Sequence, residues 1–84
     1  MVKNNNLKIY PNPSNGELYV EADNSIIIRV EIISELGQVI YIKNYGQNSS
    51  LSKDKIKINN YKPGLYILKV TTTNNSFLKK VFML

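Results

Sequence analysis

The 84-residue sequence contains no cysteine, no histidine and no tryptophan. Without cysteine there is no disulfide, no thiolate nucleophile and no zinc-thiolate centre. Without histidine the commonest general base and the commonest metal ligand are missing. Most enzyme classes are therefore poor fits, and neither a cofactor nor a metal is expected. Arginine occurs once against ten lysines, a balance that argues against phosphate recognition, where a bidentate guanidinium is favoured. Long apolar runs are also missing: Ile26-Ile27-Ile28 and Leu65-Tyr66-Ile67-Leu68 fall far below the roughly 18 residues of a membrane-spanning helix. The opening residues, Met1-Val2-Lys3-Asn4-Asn5-Asn6, show no apolar segment and no small-residue cleavage site, so no export signal is expected there. The chain remains compatible with a fragment of an exported protein.

What is present has the composition of an ordinary soluble domain, 43% hydrophobic and 20% charged, and the length allows one domain. A chain this short buries only about 60 to 65% of the surface its unfolded form exposes, which commits nearly every aliphatic residue to the core and leaves little for a deep pocket. The net charge of +5 bears on solubility and nonspecific attraction to anions. Period-two alternation dominates and no window carries a helical stripe, so the chain reads as all-β. Strands are expected at Leu7 to Tyr10, Leu18 to Ala22, Ile26 to Ile33, Gln38 to Tyr45, Lys55 to Ile58, Leu65 to Thr72 and Ser76 to Leu84. The third has the strongest β character and should be central to a sheet, with Ile28, Val30 and Ile32 on one face and Arg29 and Glu31 on the other. Turn signals separate the strands: Tyr10-Pro11-Asn12-Pro13, where each residue before a proline is excluded from the helical region; Ser14-Asn15-Gly16; and Ser34-Glu35-Leu36-Gly37 as a type I turn closed by a left-handed glycine. Lys62-Pro63-Gly64 reads as a type II turn and Thr73-Asn74-Asn75 as a primed hairpin turn, with loop at Gly46 through Ser50. About seven short antiparallel strands at this spacing predict an immunoglobulin-like β-sandwich spanning residues 7–84, with a small barrel as the competing arrangement. Residues 1–6 read as a linker, with Met1 an expression start.

Chemistry is sparse. The acidic pairs Glu17/Glu21 and Glu31/Glu35 fall on solvent-facing positions, and Ser52 beside Lys53 would face opposite ways on a strand. Asp23-Asn24 and Asp54 are too few for a calcium cage. Asn48-Ser49-Ser50 and Asn74-Asn75-Ser76 match the glycosylation sequon, a match that chance supplies readily in an Asn-rich chain. Lysine and tyrosine interleave at Lys8-Ile9-Tyr10 and Tyr41-Ile42-Lys43, as on a platform for single-stranded nucleic acid. Without an RNP-like motif, lysines lining solvent faces beside half-buried tyrosines is the better reading, and nucleic acid is not an expected partner.

Four short signals follow one order: Tyr10-Pro11-Asn12-Pro13-Ser14-Asn15-Gly16, Leu36-Gly37-Gln38-Val39, Pro63-Gly64-Leu65-Tyr66-Ile67-Leu68-Lys69-Val70 and Lys79-Lys80-Val81-Phe82. Physically, the proline pair stiffens the approach to the sandwich, Gly16, Gly37 and Gly64 supply backbone angles that side chains forbid, and Tyr66 is a core or rim aromatic. Lys79 and Lys80 are adjacent and so point to opposite faces, which one of them could not do on a buried strand; the last strand is therefore expected at a sheet edge, its unpaired backbone a template for strand addition.

Taken together, these four signals resemble the C-terminal sorting domain of type IX (Por) secretion substrates, type A, of Bacteroidota. The resemblance covers residues 7–84. It implies a noncatalytic address label that carries a covalently attached upstream cargo through the outer-membrane type IX translocon. The route runs through the periplasm to the cell surface or medium, where a sortase-like cysteine peptidase removes the domain and the cargo is released or joined to an anionic lipopolysaccharide. Recognition candidates are then Pro11, Asn12, Pro13, Gly16, Gly37, Gly64, Tyr66, Lys79 and Lys80, with processing at or before residues 3–6. One departure stands out: Ser34-Glu35 occupies the place before Leu36-Gly37 where the family often has Asp. The alternative is an immunoglobulin-like accessory module that binds carbohydrate or protein, which a planar row of exposed aromatics would favour.

Overall fold

A computed structural model describes residues 6–46 and 50–84. Among the described residues there are seven strands and no helix: β1 (Leu7–Tyr10), β2 (Glu17–Ala22), β3 (Ile27–Ser34), β4 (Val39–Asn44), β5 (Lys53–Lys57), β6 (Gly64–Thr72) and β7 (Ser76–Met83). Every pairing within the sheets is antiparallel. One sheet has the order β1-β2-β5 and the other β4-β3-β6-β7, so β3 is central, as its β-branched run requires. Each sheet keeps two edge strands, which rules out the closed barrel and is compatible with an immunoglobulin-like sandwich. The linker assigned to residues 1–6 lies outside the described residues apart from Asn6, whose carbonyl accepts from the Asp23 N–H at 2.9 Å. Much of the loop at residues 46–50, including Asn48 and Ser49 of the first sequon, also lies outside them.

Alternation along the strands sends one row from each sheet inward. Leu18, Val20 and Ile56 from the three-stranded sheet meet Ile27, Val30, Ile32, Leu68, Val70, Val81 and Met83 from the other, all 2% exposed or less. Each such side chain contributes about 1.5 to 3 kcal/mol through its removal from water. This layer is the only driving force large enough to hold two small sheets together.

The inward set on β3 differs from the expected one. Its register against β6 shifts between Ile27 and Arg29, and this bulge turns Ile27 fully into the core while Ile28 is left 39% exposed. A bulge places two residues opposite one, so alternation counted from Val30 fails on its far side. Two turns also differ. No residue of Thr73-Asn74-Asn75 has positive φ, so the primed turn is not formed. Instead the Thr72 hydroxyl accepts from the Asn74 and Asn75 N–H groups and donates to the Asn75 carbonyl, which closes the β6–β7 hairpin without left-handed residues. Gly64 is not inside a type II turn: it opens β6 opposite Met83 at φ +148, and the left-handed residue of that connection is Asn60 at φ +58. The β3–β4 hairpin forms as expected. Gly37 N–H donates to the Ser34 carbonyl at 2.9 Å, and Gly37 has φ +89.

Candidate functional site

The chain folds back on itself so that all four sequence signals reach one end of the sandwich. Pro11 and Pro13 both follow cis peptide bonds and sit between β1 and β2. They do not stiffen the approach to the domain, as expected; they shape an internal crossing that lays Asn12, Pro13 and Ser14 against the outer edge of β7. There Asn12 stands in for a length of strand. Its Nδ2 donates to the Lys80 carbonyl at 3.2 Å, and its Oδ1 accepts from the Phe82 N–H at 3.0 Å. A side-chain amide carries the same donor and acceptor as a peptide unit, so one asparagine can satisfy two groups of an edge strand. Ser14 continues the contact with its backbone. Its N–H donates to the Phe82 carbonyl at 2.8 Å, and its carbonyl accepts from the Leu84 N–H at 2.7 Å, which makes a one-residue parallel bridge to Met83. The Ser14 side chain is buried, and its Oγ donates to the Glu17 carbonyl at 2.7 Å while accepting from the Gly16 N–H at 3.1 Å.

Gly16 and the tyrosines fasten the same end. Gly16 has φ +106, and a Cβ there would lie 2.9 Å from both the Ile58 carbonyl oxygen and Tyr61 Cε2. The position requires glycine for backbone angle and for space alike. Tyr61 donates its hydroxyl to the Leu84 carbonyl at 2.7 Å and meets Tyr66 edge to face, with centroids 6.4 Å apart. Tyr66 is a core residue, 7% exposed, and its hydroxyl donates to the Lys62 carbonyl. Leu36 and Gln38, on either side of Gly37, line an open depression of about 430 Å³ together with Ile40, Tyr61, Pro63, Gly64 and Tyr66. In the Gly37 turn Ser34 takes the part that a turn-initial Asp plays, its Oγ accepting from the Gln38 N–H at 3.1 Å.

Lys79 and Lys80 are both exposed on β7, the edge strand of the four-stranded sheet. Lys79 shares the inward parity of Val81 and Met83, which are buried, yet is itself exposed. The edge is less open than the sequence implies, since the Asn12–Ser14 segment covers it from Lys80 onward. Pro11, Asn12, Pro13, Gly16, Gly64, Tyr66 and Lys80 thus form one connected region, with Lys79 next to it and Gly37 across the depression. Ser14 and Tyr61 complete the region and were not among the expected residues. Their partners lie across the fold, and no local pattern announces them.

Elsewhere the polar chemistry ties the sheets together. Asp54 on β5 accepts from Lys43 Nζ at 2.8 Å and from the Tyr45 hydroxyl at 2.6 Å through Oδ2, and from the Lys55 N–H at 2.8 Å through Oδ1. Burial by itself would raise the Asp54 carboxyl; the hydrogen bonds from Lys43 and Tyr45 outweigh it and hold the group below its ordinary value. Burial, then the bond to Asp54, pushes the Tyr45 phenol well up. On the opposite face Tyr10 and Tyr19 stack at 5.4 Å, and Lys53 Nζ lies 5.9 and 5.5 Å from the two ring centroids. These rings face each other and a lysine, which is not the planar row open to a sugar that a carbohydrate module would show. Among the described residues no group of three or more Asp or Glu is placed to hold a metal ion.

A family model described as the secretion system C-terminal sorting domain matches residues 8–83. No curated protein matches the chain.

Proposed function

This chain belongs to the secretion-system C-terminal sorting domain family, a type IX secretion signal that directs export toward the cell surface or the medium, and from that premise we propose how it acts. The folded sandwich, occupying residues 7–84, is recognised in the periplasm by components of the outer-membrane type IX translocon. That recognition carries a covalently attached upstream cargo outward, and a sortase-like cysteine peptidase then separates cargo from domain. The domain performs no chemistry of its own; its task is to present a surface. The family match over residues 8–83 carries this reading. The convergence of Pro11, Asn12, Pro13, Gly16, Gly64, Tyr66 and Lys80 at one end of the fold supports it, because signals scattered in sequence become one surface. Within that surface, Gly16 and Tyr66 act by holding its shape, and Lys79 and Lys80 act by contact.

The test fuses residues 7–84 behind a periplasmic reporter in a host with type IX machinery and measures reporter in the medium. Secretion that depends on the fused domain is the expected outcome. A folded fusion that stays in the periplasm beside a working translocon defeats the reading.

A further inference from the structure

Strand β7 keeps one free stretch of edge. The two-residue repeat puts the N–H and C=O of Leu78 and the N–H of Lys80 on the same side as the Phe82 groups bound by Asn12 and Ser14. Strand β6 occupies the other side of β7, and among the described residues no strand pairs with the outer side between Ser76 and Lys80. The Asn12–Ser14 segment closes the edge beyond that point. What remains open is roughly 17 Å of backbone at about 3.4 Å per residue.

This stretch is basic on both faces. Lys79 and Lys80 are exposed and point to opposite sides of the strand. Lys69 on β6 pairs with Leu78 and so lies diagonal to Lys80 on the outer face. None of the three has an ion pair among the described residues. Glu31, the carboxylate opposite Lys69 on β3, is taken by Arg29, whose Nε lies 3.3 Å away. A second copy of this chain would bring the same lysines to its own edge, so self-pairing is disfavoured. An acidic strand would meet unsatisfied backbone and unpaired cations together.

From this geometry we propose that β7 between Ser76 and Lys80 is the template onto which one extended, acidic segment of a partner protein adds as a further strand. Its backbone bonds to Leu78 and Lys80, and its carboxylates meet Lys79 on one face and Lys80 on the other. The inference rests on the sorting-domain reading and deepens it by naming the chemistry of the partner.

The test titrates the intact chain with a short capped peptide of Thr and Val carrying two adjacent Glu, while backbone amides are followed by NMR. The Leu78 and Lys80 amides become protected from exchange, and the joint change Lys79→Glu and Lys80→Glu weakens binding by about tenfold or more. N-methylation of alternate peptide amides abolishes binding. Leu78→Pro removes an N–H that faces solvent rather than β6, so this variant folds and does not bind. Equal binding of the N-methylated peptide would mean attraction between polyions alone and overturns the proposal, as does protection confined to β4 or no binding up to the solubility limit. Reporter export separates the two readings. If wild type, Leu78→Pro and the charge-reversed variant are all exported alike, the strand-addition proposal falls and the sorting reading stands. If the wild-type reporter is not exported, the sorting reading falls, and the peptide titration still decides the edge.

Discussion

Replacing Asn12 by Ala removes two hydrogen bonds at once, one to the Lys80 carbonyl at 3.2 Å and one from the Phe82 N–H at 3.0 Å. A neutral hydrogen bond contributes about 0.5 to 1.5 kcal/mol net. Both of these are exposed, so water can reach the freed groups and the lower half of that range applies to each. The expected cost of Asn12→Ala is about 1 to 2 kcal/mol. Unfolding entropy of about 2.1 cal/mol/K per residue gives roughly 0.18 kcal/mol/K for a chain of this length, so Tm should fall by about 6 to 11 °C. Scanning calorimetry measures the fall. Amide exchange locates it: the Phe82 N–H loses its acceptor and exchanges faster, whereas the Val81 N–H, which faces β6, keeps its protection under conditions of local opening. Asn12→Asp divides the pair, because a carboxylate still accepts from Phe82 but sets like partial charges against the Lys80 carbonyl. It should lower Tm while sparing the Phe82 amide. A Tm within about 2 °C of wild type for Asn12→Ala, together with unchanged exchange at Phe82, would refute the view that this side chain substitutes for a strand.

Two further outcomes follow from the same structure. Gly16→Ala meets a carbonyl oxygen and a ring carbon at 2.9 Å as well as an unfavourable φ, and should cost about 3 kcal/mol or more, whereas Gly37→Ala has φ +89 but open space and should cost only about 1 to 2 kcal/mol; denaturant melts that give equal losses would contradict the packing at Gly16. Asp54 has its folded-state carboxyl held below the ordinary 3.8, so its contribution is fully present above that value and is lost as pH falls through the folded value. Asp54→Asn should therefore destabilise by about 1 to 3 kcal/mol at neutral pH, with the gap to wild type closing below about pH 4; a gap that persists unchanged to pH 2 in thermal melts would show that the carboxylate charge is not what Lys43 and Tyr45 hold.

Much of the fold was legible because antiparallel strands with one buried face write themselves as alternation. All seven strands were expected near their observed bounds, and the central place of β3 followed from its β-branched run. The edge position of β7 followed from a different argument: two adjacent lysines cannot both escape a strand that is covered on each side. Legibility ended at irregularities. The bulge in β3 exchanged Ile28 for Ile27, and Thr72 closed its hairpin through a hydroxyl where backbone angles alone were considered. The site was legible as a set of residues and not as an arrangement. Nothing local says that Asn12 will find Lys80 and Phe82, 68 and 70 residues away.

The sequence alone determined the class of fold, the places where the chain must turn and the residue types free to face water, because backbone sterics and burial act over a few residues at a time. Only the tertiary structure decided that the proline segment lies across the last strand, that Ser14 and Tyr61 fasten it there, and that the open edge ends at Lys80. Those contacts are set by how two sheets close over a shared core. Closure brings together residues whose separation along the chain leaves no periodic trace.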